Sequence, residues 1–240
     1  MNRLANLYAT ALDLLYPRAC AHCGGVPDTT RFLCWDCLAE VEYVQPPFCA
    51  QCGDPVPGHI DHEYICGFCT RQTPAFDQAR SAVRYRGPVG VSLRAIKYEA
   101  ATWLLPEMAT WLSACMRTHY DTLPIDAACY VPLHPVKRRE RGFNQAAWLA
   151  QALARERGWP VLRGALKRIR DVGSQTRLTA TERLANVAGV FQVAQPRRVA
   201  GQRLLLIDDV MTTGATVSEC ARVLKSAGAA SVHVLTVARG

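Results

Sequence analysis

The pattern of hydrophobic and polar positions changes about a third of the way along the chain. Before Thr73-Pro74, apolar residues are sparse and the loops are rich in Gly, Pro and Asp, so this stretch has too few apolar residues for a core of its own. From Phe76 onward, short strand-like segments alternate with segments of helical period. The change predicts two domains, a head at residues 1–75 and a body at residues 76–240.

The body has the pattern of a mixed α/β domain. Strands are predicted at residues 81–85, where apolar and polar positions alternate, and at 127–133, 161–166, 204–207 and 231–237. Helices are predicted at residues 91–117 with a break near Pro106, and at 143–157, 182–187 and 216–227, the last closed by Gly228. The fully apolar strands near the end predict a βαβ unit in a parallel sheet covered on both faces.

The first sixteen residues are mildly apolar and predict a short amphipathic helix that packs on the body. A signal peptide is the alternative, but no small-residue cleavage site precedes Pro17. No apolar run approaches the roughly 18–20 residues of a membrane helix. We therefore expect a cytoplasmic protein without a membrane span, in a compartment where thiols stay reduced.

The charged residues are unevenly distributed, and the change falls close to the predicted boundary between head and body. Residues 1–79 hold four Lys/Arg and nine Asp/Glu, whereas residues 80–240 hold twenty-four Lys/Arg and eleven Asp/Glu, within an overall net charge of +8. A basic body suits a phosphate-bearing partner, which is either nucleic acid or a small phosphorylated molecule. A solubilising surface is the alternative interpretation, and composition does not choose between them.

Eight of the eleven cysteines lie in the head as four Cys-x-x-Cys pairs. The pairs are Cys20/Cys23, Cys34/Cys37, Cys49/Cys52 and Cys66/Cys69. Each turn of this kind presents two thiolates to one metal ion, so four turns predict two structural Cys₄ zinc sites with no open ligand position. A redox motif would instead occur singly at the start of a helix.

The order in which the pairs combine is open. Sequential pairing, favoured by the short loop within each half, joins Cys20, Cys23, Cys34 and Cys37 in one site and Cys49, Cys52, Cys66 and Cys69 in the other. Interleaved pairing is the alternative. The remaining thiols, Cys115, Cys129 and Cys220, are predicted to lie in the core. Four tryptophans are predicted to pack rather than to stack on bases, namely Trp103, Trp111, Trp148 and Trp159, whereas Trp35 is predicted to be exposed.

The segment at residues 204–216 predicts an anion site. A buried strand leads to Asp208 and Asp209, and a turn of small and hydroxyl residues then opens a helix. Free backbone N–H groups, the helix dipole and hydroxyls would surround one point there. The turn consists of Thr212, Thr213, Gly214, Ala215 and Thr216. Carboxylates beside such a cradle suit a ligand that also carries vicinal hydroxyls and Mg²⁺.

This segment resembles the thirteen-residue signature of type I phosphoribosyltransferases, which bind phosphoribosyl pyrophosphate (PRPP). A second stretch, residues 131–145, resembles the hallmark of the ComF/GntX family of competence-related proteins. Further patches similar to that family are Ile96-Lys97-Tyr98, residues 174–178 and residues 186–191. The resemblance implies a Rossmann-like type I phosphoribosyltransferase fold behind a double zinc ribbon, with PRPP and Mg²⁺ as ligands.

The resemblance also implies a pyrophosphate site in the basic loops. Lys137, Arg138 and Arg141 occupy the place of the pyrophosphate-binding loop, and residues 167–181 occupy that of a loop that closes on the substrate. Arg168, Arg170 and Arg177 are the candidates in this second loop. For each arginine, a solvated surface position is the alternative.

Two classes of function follow from the resemblance. One is an enzyme that transfers a phosphoribosyl group from PRPP to an unidentified nitrogen acceptor, with Asp208 and Asp209 at the reacting sugar. The other is a non-catalytic protein of DNA uptake that senses a nucleotide or binds single-stranded DNA and docks a partner such as a helicase. The residues themselves name no general base and no base-reading pocket.

Overall fold

The computed structural model describes residues 18–27, 31–170 and 186–240. The predicted helix at residues 1–16 and most of the predicted helix at 182–187 lie outside the described residues. The strands are β1 (Gln78–Arg84), β2 (Ala127–Tyr130), β3 (Leu166–Arg168), β4 (Phe191–Val193), β5 (Arg203–Met211) and β6 (Ser231–Arg239). The helices are α1 (Trp35–Ala39), α2 (Gly67–Arg71), α3 (Gly87–Tyr98), α4 (Leu105–Tyr120), α5 (Pro135–Arg141), α6 (Gln145–Arg157), α7 (Pro196–Val199) and α8 (Ala215–Ser226), with a 3₁₀ turn at Thr102–Leu104.

A four-stranded parallel sheet in the order β1-β6-β5-β2 forms the centre of the body. Strands β5 and β6 flank α8 in the chain and pair in parallel, so the predicted βαβ unit is confirmed. Strands β3 and β4 form a separate antiparallel pair. Among the described helices, none combines the length and apolar character that crossing a bilayer requires.

Two hydrophobic cores lie on opposite faces of the sheet. Side chains alternate across β5, so Leu205 and Ile207 pack with α4 and α6 while Leu204 and Leu206 pack with α8. The same alternation continues into the acidic residues that follow. The predicted core thiols Cys115, Cys129 and Cys220 are all buried, as expected.

Several predicted elements differ from those in the structure, among them the strand at 127–133, which ends at Tyr130. The long helix divides into α3 and α4 around residues 99–104, and Pro106 lies in the first turn of α4, where its missing N–H costs nothing. The predicted strand at 161–166 reduces to a single bridge from Val161 to Ala128. Strand β1 is buried at every position from Ala79 to Val83 rather than at alternate ones.

The head covers the outer edge of β1, which explains this continuous burial. The Val44 N–H donates to the Ala82 carbonyl at 3.0 Å, and the Arg84 N–H donates to the Glu42 carbonyl at 2.7 Å. Further along, the Ala79 N–H donates to the Gln51 carbonyl at 2.7 Å. An open edge strand is a template for unwanted pairing, and here backbone groups of the head occupy it.

Candidate functional site

The head brings its eight paired cysteines together as two clusters. Within each cluster all four sulfur atoms lie within 4.8 Å of one another. The first cluster is Cys20, Cys23, Cys34 and Cys37, and the second cluster is Cys49, Cys52, Cys66 and Cys69. The structure therefore groups the cysteines sequentially, and four thiols at this spacing fit a tetrahedral structural zinc ion.

In each cluster, a backbone amide donates a hydrogen bond to the sulfur of the first cysteine, which favours the thiolate form. The Cys34 N–H donates to the Cys20 sulfur at 3.3 Å, and the Cys66 N–H donates to the Cys49 sulfur at 3.3 Å. Burial opposes ionisation, but hydrogen bonds from backbone amides outweigh it and lower the pKa of Cys20 to about 6 and that of Cys49 to about 7. The matching bonds show that the two clusters share the same local geometry.

We expect purified protein to contain two zinc ions per chain. The reason is that both clusters hold four sulfur atoms at ligand spacing, and each is complete without a water or histidine. Elemental analysis of protein prepared without chelator measures the content directly. A content near zero or one would contradict the two-site assignment.

The two adjacent carboxylates lie within β5 and point to opposite faces of the sheet. The sequence placed them at the end of a strand that stops at residue 207, but β5 continues to Met211 because β6 pairs with it as far as Arg239. Asp208 shares its face with Leu206, whereas Asp209 shares its face with Ile207. The two acids therefore have different surroundings.

Asp209 is held directly by residues from two other helices. Its side chain is 6% exposed, and its Oδ2 atom lies 2.9 Å from Lys97 Nζ and accepts a 2.8 Å hydrogen bond from Gln145 Nε2. The Gln145 Oε1 atom accepts a 2.8 Å hydrogen bond from Arg141 Nη1. This network connects α3, α5 and α6 to the end of β5.

Asp208 lies beside a small cleft of about 30 Å³ that residues 210–217 also line. Although it keeps partial access to solvent, desolvation raises the pKa of Asp208 to about 8, and the neighbouring Asp209 carboxylate adds to the rise. The Asp209 N–H, which donates to Asp208 Oδ1 at 2.9 Å, acts in the opposite sense, as do Lys97 and Arg168. The ligand-free protein therefore favours a neutral Asp208.

This pKa predicts how the stability of the ligand-free protein depends on pH. Because the folded-state pKa lies above the unfolded value of about 3.9, Asp208 contributes stability below pH ~4 that is lost as the pH rises towards 8. We expect Asp208→Asn to make the decline in stability between pH 5 and 8 shallower. Urea midpoints of both proteins at several pH values measure this, and parallel profiles would contradict it.

Residues 212–216, called the phosphate loop after the anion that the sequence predicts there, run from the end of β5 into the first turn of α8. Gly214 precedes the helix with φ +78°, a conformation that favours glycine, and the Ala215 N–H donates to Thr213 Oγ1 at 3.4 Å. Because α8 begins at Ala215, its first N–H groups have no acceptor within the helix. Together with the helix dipole, these groups can bind an anion beside Asp208.

A larger groove of about 1140 Å³ lies near the end of β2. Its basic residues are Arg138, Arg139, Arg163, Lys167 and Arg168, from α5, β3 and the chain before β3. Phe143 and Trp148 also line it, and Trp148 is 40% exposed. The groove combines cations with aromatic faces, which is the surface chemistry that binds single-stranded nucleic acid.

Similar proteins agree with this architecture. A double zinc ribbon domain model matches residues 11–74, and a phosphoribosyl transferase domain model matches residues 140–240. Competence protein F of Haemophilus influenzae is 30% identical over 92% of this chain and 96% of that protein. The chain belongs to the ComF/GntX family.

A second relative is similar in sequence to this ComF/GntX chain, and a solved structure is similar to it at much lower sequence identity. The DNA utilization protein YhgH of Escherichia coli K12 is 32% identical over 80% of this chain and 83% of that protein. The crystal structure of adenine phosphoribosyltransferase from Leishmania tarentolae has a TM-score of 0.37 at 13% identity, covering 67% of this chain and 78% of that one.

The predicted pyrophosphate residues of this ComF/GntX chain separate into different places. Arg138 and Arg168 line the groove, whereas Arg141 bonds to Gln145, and Lys137 lies on α5 outside the groove lining. Arg170 donates to the backbone carbonyls of Ala188 and Gly189, the latter at 3.3 Å. Arg177 lies outside the described residues.

Sequence reasoning missed two residues of the site. Lys97 and Gln145 belong to stretches that resemble the family, but nothing local indicates that both reach Asp209. Of the four tryptophans predicted to pack, Trp111 is buried and Trp159 is partly buried against the core, whereas Trp148 and Trp103 are 40% and 54% exposed. Trp35 is exposed as predicted. A polar residue such as Gln145 at a buried helix position was the signal available for the network.

Proposed function

We propose that this ComF/GntX chain binds PRPP with Mg²⁺ at the phosphate loop and serves the uptake or use of DNA. The observation that carries the proposal is the start of α8 beside Asp208, where helix N–H groups and a carboxylate border one cleft. The printed names of its relatives, a competence protein and a DNA utilization protein, support the link to DNA.

The proposal gives each part of the site a separate task. The phosphate loop binds the 5′-phosphate, and Asp208 accepts hydrogen bonds from the ribose hydroxyls. Mg²⁺ would neutralise charge on the pyrophosphate, with Asp208 as the acidic group nearest to it. Asp209, which the sequence predicts at the ligand, contacts Lys97 and Gln145, and in this proposal it holds the end of β5 in place.

A charge placed in the first turn of α8 tests this assignment. We expect Thr216→Glu to lower Mg·PRPP affinity at least about tenfold, because a carboxylate in the cradle repels the 5′-phosphate. The fold should persist, since acidic residues in the first turn favour a helix. Isothermal titration calorimetry measures the affinity, with Thr216→Val as the uncharged control. Equal affinities for wild type and Thr216→Glu would contradict the loop assignment.

PRPP binding at this site would serve either an enzyme or a sensor, and an assay distinguishes the two. As an enzyme, the chain transfers the phosphoribosyl group to a nitrogen acceptor and releases pyrophosphate. As a sensor, it binds PRPP without turnover and passes the signal to a protein of the uptake machinery such as a helicase. Pyrophosphate release in the presence of a panel of nucleobases and amines decides between these forms.

The basic groove favours a second candidate function, binding of single-stranded DNA. Its five cations suit a phosphate backbone, and the exposed face of Trp148 suits stacking of a base. The groove lies next to the end of β2, whose Tyr130 pairs with Ile207 just before Asp208. A strand in the groove would therefore pass close to the phosphate loop.

We expect Arg138→Ala combined with Trp148→Ala to weaken binding of single-stranded DNA by about tenfold or more. Stacking on one aromatic side chain contributes roughly 1–3 kcal/mol, and loss of a phosphate contact also reduces the salt dependence. Fluorescence anisotropy with an oligothymidylate at several salt concentrations measures both effects. Arg197→Ala, at an exposed arginine of α7 outside the groove lining, is the control. If the two variants bind equally well, the groove is not the DNA site.

A further inference from the structure

One buried arginine lies between the second cluster and the phosphate loop. Arg239 ends β6 and is 6% exposed. Its Nη1 atom donates to the Thr212 carbonyl and, at 3.4 Å, to the Met211 carbonyl. These two carbonyls mark the point where β5 becomes the phosphate loop, so the guanidinium fixes the backbone there.

The other side of the same guanidinium faces the second cluster. Arg239 Nε donates to Asp54 Oδ1 at 3.0 Å, and Nη2 lies 4.0 Å from the Cys52 sulfur. Asp54 belongs to the turn of this cluster, since its carbonyl accepts a 2.9 Å hydrogen bond from the Cys49 N–H. One planar cation thus contacts a cluster sulfur, the cluster turn and the loop backbone.

The cluster turn has little freedom to move away from the sheet. At Gly53, with φ +67°, an added Cβ would lie 2.6 Å from the Ala79 carbonyl oxygen of β1. The turn is therefore packed against the backbone of β1 at closest approach. A change in the geometry of the second cluster must be transmitted to β1 or, through Asp54 and Arg239, to the loop.

We propose that Arg239 is a positioning residue that couples zinc at the second cluster to the shape of the phosphate loop. The consequence for PRPP rests on the proposed function, whereas the coupling itself does not. Zinc holds Cys52 and the Asp54 turn in place, these hold the guanidinium, and the guanidinium holds the carbonyls of Met211 and Thr212. Zinc is then needed for the ligand site although it lies outside it.

The first cluster provides an internal control. Its polypeptide contacts the body elsewhere, where Arg31 Nη1 and the Phe32 N–H both lie 3.4 Å from the Glu107 carboxylate on α4. Glu107 lies on the face of the sheet opposite to α8. Loss of zinc from the first cluster should therefore leave the phosphate loop unchanged.

Hydrogen exchange of the ligand-free, full-length chain tests the coupling. We expect Cys69→Ser, which opens the second cluster, to raise amide exchange in residues 211–217 about tenfold, within the roughly 5- to 150-fold range of coupled sites. Cys37→Ser, which opens the first cluster, should leave these amides unchanged. Equal exchange of the loop in Cys69→Ser and wild type would overturn the proposal.

Variants of the arginine keep the test decisive if Cys69→Ser does not fold. Arg239→Gln should raise loop exchange to a similar extent while zinc content stays at two. Arg84→Gln is the matched control, because Arg84 Nη1 also approaches Asp54, at 4.0 Å, but contacts no carbonyl of the loop among the contacts of the described residues. Unchanged loop exchange in Arg239→Gln would likewise overturn the proposal.

Ligand binding then separates this inference from the proposed function. If wild type binds Mg·PRPP, the ligand should raise the zinc affinity of the second cluster, measured by equilibrium competition with a chelator, in wild type but not in Arg239→Gln, since the coupling of binding free energies is reciprocal. An equal rise in zinc affinity in both proteins would overturn the inference and leave the proposed function intact. If wild type does not bind PRPP, the proposed function fails, and the hydrogen-exchange result alone decides the coupling.

Discussion

Replacing Asp208 with Asn is expected to lower Mg·PRPP affinity by roughly ten- to a hundredfold. A hydrogen bond from a ribose hydroxyl to a carboxylate is charge-assisted and contributes roughly 1.5–3 kcal/mol. The neutral amide of Asn forms a weaker hydrogen bond, so much of this contribution is lost. Any transfer rate should fall further, because positive charge that develops on the sugar loses its nearest anion. Titration calorimetry and a pyrophosphate-release assay measure the two effects.

The double variant Asp208→Asn/Asp209→Asn separates the phosphoribosyl function from DNA binding at this site. If the site serves PRPP, affinity for PRPP falls. If it instead binds bare DNA phosphates, removal of acidic charge from the site strengthens DNA binding, most visibly at low salt. Asp126→Asn is the control, since Asp126 pairs with Arg203 at the opposite end of β5. Tighter DNA binding with unchanged PRPP affinity would contradict the phosphoribosyl assignment.

Replacing Lys97 with Met is expected to destabilise the fold by about 3–5 kcal/mol. The substitution leaves the buried Asp209 carboxylate without its cation, and an uncompensated buried charge carries a penalty of that order. Gln145 still donates one hydrogen bond, which places the loss towards the lower end of the range. Denaturant unfolding at neutral pH measures the change.

Lys225→Met is the matched control for this experiment. Lys225 also forms a lysine–aspartate pair, 2.7 Å from Asp77, but both side chains are more than a third exposed. Such a pair contributes no more than about 1 kcal/mol. Adding Asp209→Asn to Lys97→Met should recover much of the lost stability, because the neutral amide no longer needs a counter-ion. Equal losses for Lys97→Met and Lys225→Met would contradict the role given to the buried pair.

Short segments of the sequence predicted much of the fold. The apolar runs at residues 204–207 and 231–237 and the helix between them predicted a parallel βαβ unit, since strand and helix periods are properties of short segments. The cysteine spacing predicted two Cys₄ sites in the same way, because two ligands that are three positions apart share one turn. The loop before α8 was recognised from a continuous stretch of thirteen residues.

Predictions failed where a partner distant in the chain decides the outcome. The length of β5 depends on its pairing with β6, so the sequence of β5 alone ended the strand four residues early. The burial of β1 depends on backbone groups near residues 42–51, which the composition of the head does not indicate. Trp148 is exposed because it faces a groove formed by other elements.

The sequence by itself determined the α/β class of the body, the two cysteine clusters and the loop that begins α8, because each is encoded within a short segment. Only the tertiary structure decided the different surroundings of Asp208 and Asp209, since adjacent residues of a strand face opposite cores. It also brought Lys97 and Gln145 to Asp209, and Arg239 between the second cluster and the phosphate loop. These contacts join residues 27 to 187 positions apart, and sheet order and packing, not local pattern, bring such residues together.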